Sequence, residues 1–242
     1  MYLNILLPVL NEEKRLEKGV LNTVAYFESV GYTDYQLTIV DNGSTDETVS
    51  IATRLVDEQK RVKYLRLEEK GVGIAFRKGV QDNRADIVGY MDIDLSTDVS
   101  HLMDVINMFK EHSEIDIINA SRLNRNSNTV GRKWYRMFTS HGLTYMLKIF
   151  LHLRASDAIC GFKFFRKEVA ENLVKNANAS EKGWFYVIEV LLRAERTDYN
   201  INELPVRWKD DYNTTVHVWK LVKNYIKNIF VLRKQFKKEH IL

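Results

Sequence analysis

One cysteine, two prolines and no uninterrupted apolar run of about 18 residues narrow what this chain of 242 residues can be. A single thiol excludes an internal disulfide framework and any all-cysteine zinc site, and Cys160 reads as a small buried residue. The first residues lack a basic segment followed by an apolar core, so neither membrane crossing nor export by that route is expected. A phosphate-binding loop ending in Lys-Ser or Lys-Thr, His-Glu-x-x-His and Gly-x-Ser-x-Gly are all missing. Those absences argue against an NTPase, a zinc protease and a serine hydrolase. Lys70-Gly71-Val72-Gly73 opens a helical stretch, but Phe76 stands where a dinucleotide fingerprint needs its third glycine. What is present is an ordinary globular composition, 45% hydrophobic and 28% charged, long enough for one large domain or two small ones.

Charge is unevenly spread. The net charge is +4, yet residues 219–242 carry seven lysines and arginines against Glu239 alone, so the tail holds +6 and the remainder −2. At about 100° per residue, Lys220, Lys223, Lys227, Lys234 and Lys238 fall in an arc of about 60°. Leu221, Val222, Tyr225, Ile226, Ile229, Leu232 and Phe236 gather opposite them. Such a helix either docks its apolar side on the domain or lies on an anionic membrane surface. Nucleic acid is not expected as a partner, because the body is slightly acidic and shows no binding module.

Strand and helix patterns alternate from the start. Strands are expected at 2–8, 36–40, 62–67, 86–91 and 115–120, and helices at 11–30, 44–58, 71–80 and 98–110. That alternation predicts an α/β fold with a mostly parallel central sheet and helices on both faces, followed by the amphipathic C-terminal helix. Ligands in such sheets bind beyond the carboxyl ends of the strands. There the polar residues collect: Asn11 and Glu12 after the first strand, Asp41 and Asn42 after the second, Asp92 and Asp94 after the fourth. A spacing of two in an extended chain puts both carboxylates on one side, where they suit Mg²⁺ or Mn²⁺ shared with a diphosphate. Alternatively, the pair ends a strand and caps the next helix. Asp98 reads as such a cap.

In order along the chain stand Leu7-Pro8-Val9-Leu10-Asn11-Glu12-Glu13, Val40-Asp41-Asn42-Gly43-Ser44-Thr45-Asp46, Lys70-Gly71-Val72-Gly73, Met91-Asp92-Ile93-Asp94, Ala120-Ser121-Arg122, Asp157-Ala158-Ile159-Cys160-Gly161-Phe162-Lys163 and Glu203-Leu204-Pro205-Val206-Arg207-Trp208. This series resembles the family 2 glycosyltransferases of the GT-A fold, and most closely the polyprenyl-phosphate (dolichyl-phosphate) hexose synthases. The Cys-Gly-Phe-Lys variant looks more like the glucosyl than the mannosyl branch. The resemblance implies that Pro8, Leu10, Asn11, Glu12, Asp41, Asn42, Lys70, Gly71, Asp92, Ile93, Asp94 and Arg122 hold the nucleotide sugar. It implies that Asp92 and Asp94 bind the metal. It also implies that Arg132, Arg136, Ser140 and Lys163 bind the acceptor phosphate.

Catalytic roles follow from the same likeness for Asp94, Arg136 and Asp157, with Glu189 the other candidate base. An ionised polyprenyl phosphate is already a nucleophile and asks for positioning more than for a strong base. The expected organisation is a catalytic domain over 1–215, its donor half 1–120 and acceptor half 121–215, and a basic helix over 216–242. The expected enzyme is an inverting, metal-dependent hexosyltransferase on the cytoplasmic face of a membrane. It would take UDP-glucose, or GDP-mannose, to a polyprenyl phosphate. Extension of a polysaccharide or other glycan, and a catalytically silent nucleotide-sugar scaffold, are the alternatives; a homo-oligomer stays open. The chain departs from the family pattern after Trp208, where a Ser-Lys pair is replaced by Lys209-Asp210-Asp211-Tyr212.

Overall fold

The computed structural model describes residues 1–131, 134–178, 180–210 and 218–242, without the side chains of residues 134–136 and 218–221. Its elements are β1 (Leu3–Val9), α1 (Leu16–Ser29), β2 (Tyr35–Asp41), α2 (Thr48–Glu58), β3 (Val62–Arg66), α3 (Val72–Gln81), β4 (Ile87–Met91), α4 (His101–Glu111) and β5 (Ile117–Ser121). They continue with β6 (Asn128–Val130), α5 (Trp134–Leu151), β7 (Phe162–Arg166), α6 (Lys167–Asn176), α7 (Phe185–Ala194), β8 (Ile201–Pro205), β9 (Arg207–Lys209) and α8 (Val218–Lys238).

Seven strands form one sheet in the order β3-β2-β1-β4-β7-β5-β8. All neighbours run parallel except β7, which is antiparallel to both β4 and β5. The mostly parallel α/β sheet with helices on both faces expected from the sequence is therefore present. β6 and β9 pair separately as a short parallel ribbon, and Thr97 bridges to Trp208.

Strand periodicity sorts the core into layers. Leu3, Ile5, Leu7 and Val9 of β1 face α1, α2 and α4, where they meet Val20, Phe27, Leu55, Val105 and Phe109. Leu6 of β1, Val88 and Tyr90 of β4 and Phe165 of β7 face α3, α6 and α7. Every residue of α7 is buried. One of its sides meets the sheet through Tyr186, Val187 and Val190, and the other meets α5 and α8 through Phe185, Ile188, Leu191 and Leu192. Leu143, Leu147 and Leu151 of α5 and Tyr225, Ile229, Leu232 and Phe236 of α8 complete that outer layer. The apolar side of the C-terminal helix is thus spent on the protein body. Among the described residues, no helix is long and apolar enough to cross a membrane.

Three expected boundaries shift for local reasons. α1 starts at Leu16, not residue 11, because Asn11 has φ 55° and the segment after it bonds across to the loop beyond β2. α2 starts at Thr48 because residues 44–47 form that loop. α4 starts at His101, and Asp98 closes the turn before it by accepting from Ser100 N–H at 2.9 Å and Ser100 Oγ at 2.7 Å.

Candidate active site

Two clusters stand at the carboxyl ends of the parallel strands. The first joins β1 and β2. Ser44 Oγ accepts from Asn11 N–H at 2.9 Å, Asn11 Oδ1 accepts from Thr45 N–H at 2.9 Å, and Thr48 Oγ1 accepts from Glu12 N–H at 2.8 Å. Glu12 also binds Arg15 through two bonds of 2.6 and 2.7 Å. Reciprocal bonding of this kind fixes a loop that the strand ends alone would leave loose. Pro8 lies half-buried on this rim, and Leu10, Asn11 and Lys70 are exposed along it.

Asp41 and Asn42 prove to be the rim's supports. Asp41 is fully buried, with Oδ1 accepting from Ser44 N–H at 2.9 Å and Oδ2 from the Tyr64 hydroxyl at 2.7 Å. Burial and that carboxylate push the Tyr64 hydroxyl up to about 12. Asn42 donates to Val9 O at 3.2 Å and accepts from Gly71 N–H at 3.3 Å, tying β1 to the loop before α3. Asp41, expected to contact a base or ribose, directs its carboxylate to the loop it holds. Gly71 itself, at φ 152°, lies where a Cβ would strike the Lys182 carbonyl. Gly73 N–H donates to that carbonyl at 2.9 Å and Lys182 pairs with Glu69 at 2.6 Å, so this loop is clamped onto the entry to α7.

The second cluster gathers Asp92, Asp94, Arg122, Asp157 and Lys163 at the ends of β4, β5 and β7. β4 stops at Met91, and Asp92 to Leu95 make a turn with Leu95 at φ 53° rather than an extended run. Asp92 and Asp94, both half-buried, still stand close enough that the charge of Asp94 acts on Asp92. The Tyr90 hydroxyl donates to Asp92 Oδ1 at 3.1 Å, Ser96 N–H donates to Asp94 Oδ1 at 2.9 Å, and a Cβ at Gly161 would overlap the Asp92 carboxylate. Burial first and then Asp94 raise the Asp92 carboxyl to about 7, while Tyr90, Arg122 and Lys163 pull in the other direction. Ile93, between them, is corrected from a donor-binding residue to a core side chain packed under α1, 4% exposed.

Asp157 is fully buried and saturated. Arg122 donates from Nε to Oδ2 at 2.8 Å and from Nη2 to Oδ1 at 3.1 Å, and the Arg122, Ile159 and Cys160 backbone N–H groups add three further bonds. Burial works against this carboxylate's charge, but Arg122 outweighs it and holds the carboxyl far below the ordinary range. A group so placed is a poor proton acceptor. Its expected role as catalytic base is therefore corrected to that of a positioning residue for Arg122. The guanidinium, also under the pull of Asp157 against burial, stays charged and lies 4.8 Å from the Trp208 ring. Two of its five N–H bonds are spent on Asp157.

Lys163 is likewise corrected. It is 1% exposed inside the sheet, donating to the Cys160 carbonyl, and so does not line an acceptor face. Burial lowers its pKa, opposed by Cys160 and Asp157. Cys160 is buried as expected, and burial pushes its thiol up to about 12. Glu189, the other candidate base, sits inside α7 with Oε1 accepting from Arg193 at 2.8 Å and Asn178 N–H at 2.9 Å. Ser140 lies half-buried in α5. Arg136 belongs to the same helix, but its side chain, like the whole of Arg132, falls outside the described residues.

Sequence reasoning missed Tyr64, Tyr90 and Trp184. Tyr90 carried a legible signal, since a residue two before Asp92 shares its side of the strand. Trp184, half-buried at the start of α7, meets Tyr90 edge-on at 6.4 Å and so closes the floor beside the acidic pair.

Comparison with known proteins bears on the family and the fold. The model of glycosyl transferase family 2 matches residues 4–174. Glycosyltransferase AglD of Haloferax volcanii is 30% identical over 88% of this chain, which spans 34% of that protein. Dolichyl-phosphate beta-glucosyltransferases of Trichomonas vaginalis and Dictyostelium discoideum are 24% and 25% identical over 92% and 87% of the chain, which spans 70% and 67% of their lengths. The fold matches that of glucosyl-3-phosphoglycerate synthase from Mycobacterium tuberculosis in complex with uridine diphosphate, with TM-score 0.70 and 18% identity over 96% of this chain and 79% of that one. With a strand-end rim, an acidic pair beyond β4 and a family match over most of its length, the chain belongs to glycosyl transferase family 2.

Proposed function

We propose that the chain transfers a hexose, with inversion, from a nucleotide sugar to a polyprenyl phosphate. UDP-glucose is the favoured donor and GDP-mannose the other one. The observation that carries this reading is the locking of both candidate bases. Asp157 is bound by Arg122 and Glu189 by Arg193, and both residues are at most 2% exposed. A hydroxyl acceptor needs a proton removed, whereas a phosphate acceptor is already ionised at neutral pH. The dolichyl-phosphate relatives support the same acceptor class.

The residues present fit a divalent cation. Asp92 and Asp94 are a half-buried like-charged pair whose oxygens are hard ligands, and among the described residues no third His, Cys, Asp or Glu completes a cage. Such a pair leaves coordination positions for a diphosphate, as Mg²⁺ or Mn²⁺ requires. The bound ion supplies positive charge to the departing nucleoside diphosphate. Pro8, Leu10, Asn11, Glu12 and Lys70 line the nucleotide rim that Asp41, Asn42 and Gly71 hold in shape. Arg122 adds fixed positive charge beside the acidic pair. Arg132, Arg136 and Ser140 are assigned to the acceptor phosphate. We place the enzyme at the cytoplasmic face of a membrane, where anionic lipids attract a basic stripe.

Nucleotide release with Mn²⁺, measured over UDP- and GDP-sugars with and without a short polyprenyl phosphate in detergent, tests the proposal. One donor is expected to respond to the lipid, and Asp94→Asn to abolish the response. Release from a donor with no response to lipid would move the acceptor to a glycan. No binding of any nucleotide sugar would reject the transferase itself.

A further inference from the structure

We propose that α8 is part of the donor site: Asn228 fixes the Glu181 carboxylate, Glu181 fixes the Lys182 carbonyl, and that carbonyl sets loop 69–73 against the nucleotide sugar. Asn228 and Glu181 are thus positioning residues, and their role depends on the proposed place of Lys70 and Gly71 on the nucleotide rim. Both lie beyond residues 4–174, the part of the chain that matches the family.

Glu181 uses its two oxygens separately. Oε1 accepts from Gly183 N–H at 2.8 Å, and Oε2 accepts from Asn228 Nδ2 at 2.8 Å. Lys182 stands between the two residues joined by the first bond, and its carbonyl accepts from Gly73 N–H at 2.9 Å. Its side chain adds only the exposed pair with Glu69. From the loop the bonds run on into the rim, since Gly71 N–H donates to Asn42 Oδ1 at 3.3 Å and Asn42 Nδ2 donates to Val9 O at 3.2 Å.

The support behind Asn228 is firm. Tyr225, Ile229, Leu232 and Phe236 of α8 are each at most 3% exposed. Tyr225 precedes Asn228 by three residues, on the same side of the helix, and meets Phe185 edge-on at 5.7 Å. Phe185 opens α7 four residues after Glu181, so the ring contact and the amide bond hold one segment at two points.

This relay also accounts for the glycines of Lys70-Gly71-Val72-Gly73, which no dinucleotide fingerprint explains. A Cβ on Gly71 would overlap the Lys182 carbonyl, and one on Gly73 would press on Tyr186 Cβ and the Gly183 carbonyl. Both positions need glycine for the close approach of the turn that Glu181 shapes. With no side chain between them to yield, a shift of residues 182–183 passes directly to the loop.

The test measures KM and kcat of the full chain for UDP-glucose and GDP-mannose, with Mn²⁺ and a short polyprenyl phosphate in detergent. Asn228→Asp keeps the shape, loses the donor and sets a second carboxylate against Glu181. KM for the sugar nucleotide in use is expected to rise about tenfold, with kcat within about twofold and the melting temperature unchanged. Asn228→Lys restores a cationic donor to Glu181, and its KM is expected within about twofold of the unaltered chain. Asn228→Ala takes the place of Asn228→Asp should that variant unfold. An unchanged KM in Asn228→Asp, a loss confined to kcat, or an equal rise in KM for the aspartate and lysine variants would overturn the proposal. Amide hydrogen exchange without substrate separates the relay from the donor reading, since Gly73 N–H is expected to exchange about tenfold faster in Asn228→Asp. Faster exchange in a chain that binds no nucleotide sugar would reject the donor reading and keep the coupling of α8 to the loop. Unchanged exchange with normal binding would overturn the coupling and keep the reading.

Discussion

The strand-end rim and the outer helical layer are built on opposite principles. At the rim polar side chains are held by directional bonds: Asn11 Oδ1 accepts from Thr45 N–H, Asp41 from Ser44 N–H and the Tyr64 hydroxyl, and Asp157 from Arg122. In the layer of α5, α7 and α8 the contacts are leucine, isoleucine and phenylalanine packing, with an ion-pair chain from the buried Glu189 through Arg193 to the exposed Glu239. Directional bonds fix a geometry to a few tenths of an ångström, whereas apolar packing supplies stability and tolerates exchange. The rim should therefore lose function before it loses stability, and the layer stability before function.

The sharpest break with that comparison lies in the acidic pair. Asp94→Asn is expected to cost about 10³-fold in nucleotide release with an unchanged melting temperature, because it removes charge only where the diphosphate departs. A variant that also unfolds would place Asp94 among the structural groups.

Asp157 is the rim residue expected to behave like core. Asp157→Ala leaves the Arg122 guanidinium buried without its partner and should cost about 3 to 5 kcal/mol in denaturant unfolding. Its carboxyl is depressed in the folded chain, so its contribution is present in full at neutral pH and fades as the solution is acidified below about 4. Loss of turnover at full stability would instead restore it as a catalytic base.

In the outer layer, Ile229→Ala opens a cavity between α8 and its neighbours and should cost about 2 to 4 kcal/mol while donor affinity holds. The smallest effect is expected at the seam between packing and chemistry. Tyr90→Phe keeps the ring against Phe76 and Trp184 but removes the bond to Asp92, and the metal concentration needed for half-maximal rate should rise about tenfold.

The two regions were also unequally legible in the sequence. The five alternating strands and the polar residues at their ends follow from period-two and helical patterns, and the motif order pointed to the family. The reversal of β7 was not readable, since Phe162–Arg166 has the same composition whichever way it enters between β4 and β5. Nor could composition tell that Asp157 and Lys163 are turned inward. Ionisable residues usually mark a surface, and only a partner such as Arg122, distant in sequence, makes burial affordable. For α8 the stripe was legible but its use was not, because docking on a domain and lying on a membrane ask for the same spacing.

The most direct test of the reading drawn from the binding of Asp157 by Arg122 and of Glu189 by Arg193 compares two acceptors with one donor: nucleotide release from UDP-glucose with a short polyprenyl phosphate and with the corresponding polyprenol. The account predicts turnover with the phosphate and none with the alcohol. Equal turnover of the alcohol, or turnover of the alcohol alone, would contradict it.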